Sequence, residues 1–290
     1  MSIVEVGISG WTYKGWRGTF YPLKLAQNHE LEYASRELPT IEINGTFYSL
    51  QRPTSYEDWY NKTPTDFIFS VKANRYISHI KKLNDVEIPM ANFIASGPLR
   101  LKEKLGPILW QFPPNMPFEP EKFESFLKLL PHDFASAAKL GKKATLAKER
   151  RFLQVEHNYK LRHAVEVRHM SFLNPWFVEL LRQYNVAIVF ADTAGKWPYM
   201  EDVTADFIYL RLHGDAELYV SGYDDSTLEF WSERIKAWKK GLEPKDRLTI
   251  TSDRPLKMER DVYVYFDNDA KVRAPIDAKN LMKRLNLPRN

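Results

Sequence analysis

Apolar positions along the chain repeat with two different periods, and the two periods take turns. Residues 3–8, 40–44, 67–72, 108–112, 163–169, 186–192, 207–214 and 262–266 alternate apolar and polar side chains or form short runs rich in Val, Ile and Phe, which predicts strands. Residues 31–38, 56–62, 90–105, 119–130, 177–184, 228–240 and 278–285 place apolar side chains at helical spacing, which predicts helices. Pro113 and Pro114 close the fourth strand, because neither ring can continue a ladder. Two stretches break the rhythm: 131–162 shows no clear strand, and 241–260 is a polar, charged linker. Trp231 and Trp238, seven apart on one helix, read as packing.

Side chains alternate across a strand, so parity assigns each one to a face. In 163–169, Val165 and Val167 share one face while Glu166 and Arg168 share the other. The same arrangement recurs with Glu42 and Asn44, with Ser70 and Lys72, and with Tyr209, Arg211 and His213. Gln111, Asp192 and Asp267 are further polar residues at strand ends. His169 has the opposite parity from Arg168 and turns away, unless the strand ends at Arg168.

Eight strands with helices between them are the count that closes a TIM (β/α)8 barrel, an α/β fold. The expectation is one domain over 1–290, with a basic insertion at about 131–162 before strand 5 and the linker at about 241–260 before strand 8. Active sites of such barrels lie at the C-terminal ends of the strands. The polar strand ends therefore converge on one mouth, which no local motif would have shown.

Composition changes this picture in three ways. A net charge of +5 fits an anionic small molecule or nucleic acid as partner, and residues 139–151 hold six basic side chains against the single acid Glu149. The absence of cysteine excludes disulfides, thiolate metal sites and a cysteine nucleophile. Neither a leader pattern nor an apolar run of spanning length stands out, so a cytoplasmic protein without a membrane partner is the expectation.

Several blocks resemble a known family. They are Gly10-Trp11-Thr12-Tyr13-Lys14-Gly15-Trp16, Phe20-Tyr21-Pro22, Glu42-Ile43-Asn44-Gly45-Thr46-Phe47-Tyr48, Val71-Lys72-Ala73, Gln111-Phe112-Pro113-Pro114, Glu166-Val167-Arg168-His169, Thr204-Ala205-Asp206-Phe207, Arg211-Leu212-His213-Gly214 and Tyr265-Phe266-Asp267-Asn268-Asp269. In this order, across nearly the whole chain, they resemble the YecE-like family, also called the domain of unknown function 72 family. Ser78 and Phe112 stand where that pattern usually has Thr and Leu. The resemblance implies a TIM-type barrel similar in shape to the sugar-isomerase and apurinic-endonuclease superfamily, with a ligand site of inward polar residues. It implies no settled reaction.

The candidate ligand-binding residues are Trp11, Tyr13, Glu42, Asn44, Tyr48, Lys72, Gln111, Arg168, Asp192, Arg211, Tyr219, Asp267 and Asn268. Glu166 and His213 are the candidates for acid–base work. Lys72, Arg168 and Arg211 neutralise the neighbouring acids and repel a further cation, so neither a metal ligand nor a cofactor is assigned. Arginine forks and a lysine point charge suit phosphate or carboxylate. Three functions fit these residues. The first is binding, with or without hydrolysis, of a phosphate-containing or nucleic-acid ligand at the mouth. The second is non-catalytic nucleic-acid binding through the basic insertion. The third is a metal-dependent sugar hydrolase or isomerase.

Overall fold

The computed structural model describes residues 2–287 apart from 254 and 256. Its strands are β1 (Val4–Ser9), β2 (Thr40–Ile43), β3 (Ile68–Lys72), β4 (Leu105–Gln111), β5 (His163–Glu166), β6 (Ala187–Asp192), β7 (Phe207–Leu212) and β8 (Asp261–Phe266). All neighbours are parallel and the order β1 to β8 closes on itself, with Val6 opposite Val264 at the seam. The expected (β/α)8 barrel is thereby observed.

Around it lie α1 (Glu30–Glu37), α2 (Gly45–Tyr48), α3 (Pro53–Lys62), α4 (Glu87–Ala95), α5 (Pro120–Leu129), α6 (Phe134–Gly141), α7 (Pro175–Gln183), α8 (Asp225–Lys239) and α9 (Arg273–Arg284). Outward strand residues such as Val6, Ile41, Val165 and Leu210 join the apolar faces of these helices in the main core. Trp231 and Trp238 are buried there, as their spacing predicts. Inward residues form a separate cluster that includes Leu109, Val189, Tyr209 and Tyr265. Two sheet neighbours approach closely at Gly7, where a Cβ would fall 1.9 Å from the Thr40 carbonyl oxygen.

The structure departs from the sequence reading, or adds to it, in four places. The helix expected over 90–105 is α4 followed by a 3-10 segment at Pro98–Lys104, and Leu105 already belongs to β4. Gly97 makes the break with φ of 128° ahead of Pro98, and a Cβ there would press on Pro53 and Tyr56 at 2.8 Å. The insertion contains α6, which begins at a capping box between Asp133 and Ser136. Residues 248–251 of the 241–260 stretch are bound to the loop between β6 and β7: the amides of Leu248, Ile250 and Thr251 donate to Glu201 and Asp202. Finally, β5 ends at Glu166, so Arg168 and His169 lie in the loop after it. Among the described residues no helix is long and apolar enough to cross a membrane.

Candidate functional site

Arg211 is the centre of the barrel mouth. Parity on β7 points it inward, and its side chain is completely buried. Its Nη1 lies 2.6 Å from Glu166 Oε2, and its Nη2 lies 2.9 Å from Glu42 Oε1 and 2.7 Å from Asp267 Oδ2. Nη2 also donates to Ser9 Oγ at 3.1 Å. One guanidinium thus draws together the ends of β1, β2, β5, β7 and β8. Burying it without these acids would cost several kcal/mol, so the carboxylates are what make an arginine tolerable here.

The acids carry the electrostatic signature of this contact. Burial acts to raise the Glu166 pKa, but Arg211, Arg168 and His213 outweigh it and hold the carboxyl well below its usual range. Asp267 is likewise held at about 2, where burial is outweighed chiefly by Arg211 and His213. His213 is wholly buried with Nδ1 3.1 Å from Asp267 Oδ2. Tyr209 donates to Glu42 Oε2 at 2.7 Å.

Outside this centre lies a second layer. Gln111 Nε2 donates to Glu166 Oε1 at 2.8 Å, and Arg168 brings Nε and Nη2 to the same oxygen at 2.9 Å each. The Arg168 guanidinium stacks on the Trp197 ring at 3.6 Å and donates from Nη2 to Tyr219 Oη at 3.2 Å. Tyr219 reaches that position from a left-handed backbone with φ of 65°, a conformation that is costly for tyrosine. Both Glu166 oxygens are therefore committed, whereas Arg168 Nη1 makes no hydrogen bond among the described residues.

Lys72 ends β3 beside this layer, and 8% of its surface is exposed. Its ammonium sits 4.5 Å from the centre of the Phe47 ring. Burial, and then Arg211, lower its pKa to about 8. His79 packs edge-on against the same ring at 5.0 Å, and burial together with Lys72 and Arg168 brings its pKa down to about 4. Across the mouth, burial and Asp267 raise Asp269 to about 6. Lys72 and Arg168 thus stand at the ends of β3 and β5, and Asp267 and Asp269 follow β8 across the barrel.

The remaining candidates are less central. Tyr13 donates to the Ser9 carbonyl at 2.6 Å and stacks on Trp16. Trp11 packs edge-on against Trp59 of α3, and Asn44 precedes α2. Tyr48 is 70% exposed on the rim, with the Arg75 guanidinium 5.9 Å from its ring. Asp192 accepts from Tyr223 Oη at 3.0 Å, away from Arg211. Asn268 is wholly buried and donates to the Ser221 carbonyl and to Asp277, which ties the Tyr219 loop to α9. His169 bonds Ser171 and caps a short turn; because β5 ends at Glu166, strand parity does not govern it.

Comparison with known proteins decides the family. Residues 5–290 match the family described as protein of unknown function DUF72. The chain belongs to the DUF72 family. A DUF72 protein of Thermotoga maritima has a similar structure, with a TM-score of 0.71 and 25% identity over 98% of this chain and 99% of that one. Another, from Enterococcus faecalis, reaches a TM-score of 0.71 at 17% identity over 99% of this chain and 97% of that one, a likeness of fold. UPF0759 protein YunF of Bacillus subtilis is 30% identical over 120 residues, which are 39% of this chain and 40% of that protein.

In this DUF72 chain the acids of the mouth do not fit a metal. Glu42, Glu166 and Asp267 all turn toward the Arg211 guanidinium, which occupies the position a shared cation would need. No group of three or more His, Asp or Glu side chains among the described residues is arranged to hold a metal ion. Sequence reasoning put Tyr209 on the inward face without naming it a site residue, and it left out Ser9, Trp197 and His79. Parity places Ser9 and Tyr209 inward, so those two were findable. Trp197 arrives from a loop and His79 from a short π-helical turn at Tyr76–Ile80, where the two-residue period of a strand does not operate.

Proposed function

We propose that the mouth of this DUF72 barrel binds a small anionic ligand, carrying phosphate or carboxylate, between Lys72 and Arg168. The supporting observation is a mismatch of commitments. Both oxygens of Glu166 are already engaged, as are Glu42 Oε1, Glu42 Oε2 and Asp267 Oδ2. The Lys72 ammonium and Arg168 Nη1 make no hydrogen bonds among the described residues. Donors that face the mouth without a protein acceptor favour a ligand that brings oxygens. Asp269, on the opposite wall, suits hydroxyl groups of the same ligand.

On this reading Glu166 is a positioning residue: a carboxylate held so far below neutrality is a poor base. Hydrolysis is therefore not part of the proposal. Calorimetric titration with inorganic phosphate and pyrophosphate tests it. Saturable binding that weakens at least tenfold in Arg168→Ala is expected, whereas equal affinity of the variant for both anions would refute it.

A second reading concerns nucleic acid, and a groove beside the mouth favours it. The groove encloses about 560 Å³ and is lined by Tyr48, Tyr76, Lys81 and Ile88. Tyr48 and Tyr76 are exposed, as bases stacking on them would require. The basic insertion contributes less than its sequence promises, because Lys143 pairs with Glu87 and Arg150 donates to the Leu50 carbonyl. Salt-dependent binding of single-stranded DNA, abolished by Tyr48→Ala with Tyr76→Ala, would support this reading, and no binding at low salt would remove it.

A further inference from the structure

Lys72 and Lys104 are the buried lysines among the described residues, and they differ in kind. The Lys104 ammonium donates to the Tyr60 carbonyl at 2.7 Å, the Thr63 carbonyl at 2.9 Å and Thr63 Oγ1 at 3.2 Å. It closes the end of α3, and every proton has an acceptor. The Lys72 ammonium has none, and the nearby carboxylates are turned to Arg211. Its own backbone is nonetheless fixed: Thr46 Oγ1 donates to the Lys72 carbonyl at 2.6 Å, and β3 pairs it with Leu109 of β4. A held stem with an unpartnered amine, aimed from the C-terminal end of a barrel strand past an apolar ring, is the arrangement of a nucleophile.

We propose that Lys72 forms an imine with a carbonyl compound that carries a carboxylate or phosphate. The proposal rests on the anion-binding reading, because Arg168 supplies the contact for the anionic group. In the step, the neutral Nζ attacks the carbonyl carbon, a C–N bond forms, and the carbonyl π electrons move to oxygen, which takes up a proton. Nitrogen then releases one proton, the carbinolamine oxygen takes up a second and leaves as water, and the freed nitrogen lone pair closes the C=N bond. One amine, one carbonyl and one proton thus give one iminium ion and one water, with no oxidant or reductant. The burial that pushes the Lys72 pKa to about 8 leaves an appreciable share of neutral amine at mild alkaline pH. Phe47 supplies the apolar side of that environment.

Reductive trapping tests the assignment. The full chain is incubated at pH 8 with glyoxylate or with the uncharged propanal, each with cyanoborohydride, and the modified lysines are located by peptide mass spectrometry. Lys72 is expected to take the glyoxylate label at least tenfold faster than Lys81 and Lys82, more slowly when inorganic phosphate is added. Lys72→Arg, which keeps the charge, is expected to remove that label alone. Labelling of Lys72 no faster than Lys81 and Lys82 with both carbonyls would overturn the imine while leaving phosphate binding to be judged by Arg168→Ala. Equally fast labelling by glyoxylate and propanal, unaffected by phosphate, would keep the nucleophile and overturn the anionic substrate class.

Discussion

The two ends of the barrel are both built around an arginine, and they treat it differently. At the N-terminal end, Arg162 Nη1 lies 2.6 Å from Asp261 Oδ2 and donates to Tyr263 Oη at 3.1 Å, with its guanidinium over the Phe207 ring. The pair is partly open to water, with 21% of each side chain exposed. At the C-terminal end, Arg211 is sealed and holds three carboxylates, while Lys72 and part of Arg168 stay without acceptors. The lower end is a plug whose charges terminate on each other. The upper end concentrates its acids on one cation and leaves the others directed at the mouth, which is the asymmetry expected of a binding site.

Removing the central cation is the strongest way to break this contrast. Arg211→Met takes from Glu42, Glu166 and Asp267 the cation they share and is expected to destabilise the fold by about 3–5 kcal/mol in urea denaturation. Next comes acid. Glu166 and Asp267 lie below their ordinary values in the folded state, so their contribution is complete above the unfolded-state values and is lost as pH falls through the folded ones. Stability is expected to decline between about pH 5 and pH 2, by roughly 2–3 kcal/mol for Asp267 alone. Asp267→Asn should flatten that part of the profile of the urea midpoint against pH.

Lys72 predicts a change of the opposite sign. Its folded-state pKa of about 8 lies below the ordinary lysine value of 10.5, so the penalty is full below pH 8 and vanishes as pH rises past 10.5. Lys72→Met is therefore expected to stabilise the protein at pH 7 by roughly 2 kcal/mol, the reverse of a structural lysine. The smallest effect is predicted at the other end: Arg162→Ala should cost about 1 kcal/mol or less, because its ion pair is reached by water. If Arg162→Ala proved as damaging as Arg211→Met, the contrast between the two ends would fail.

The fold was legible because a barrel obeys parity. Glu42, Lys72, Gln111, Glu166, Arg211, His213 and Asp267 could be assigned to the mouth from two-residue periodicity and strand order alone. What periodicity could not supply was the partner of each group. Nothing in the sequence distinguishes an arginine that serves three acids from a lysine that serves none, since that depends on contacts between β2, β5, β7 and β8. Some residues beyond the strand ends were also hidden. Asn268 reads as a neighbour of Asp267 and instead braces a loop, whereas Trp197, with no signal of its own, forms the platform under Arg168.

Whether an anion sits between Lys72 and Arg168 can be seen in a crystal of the protein soaked with inorganic phosphate. Tetrahedral density is expected within hydrogen-bonding distance of Lys72 Nζ and Arg168 Nη1, with Arg211 still bound to Glu42, Glu166 and Asp267. Water alone at that position, or a cation ringed by those three carboxylates with Arg211 displaced, would contradict it.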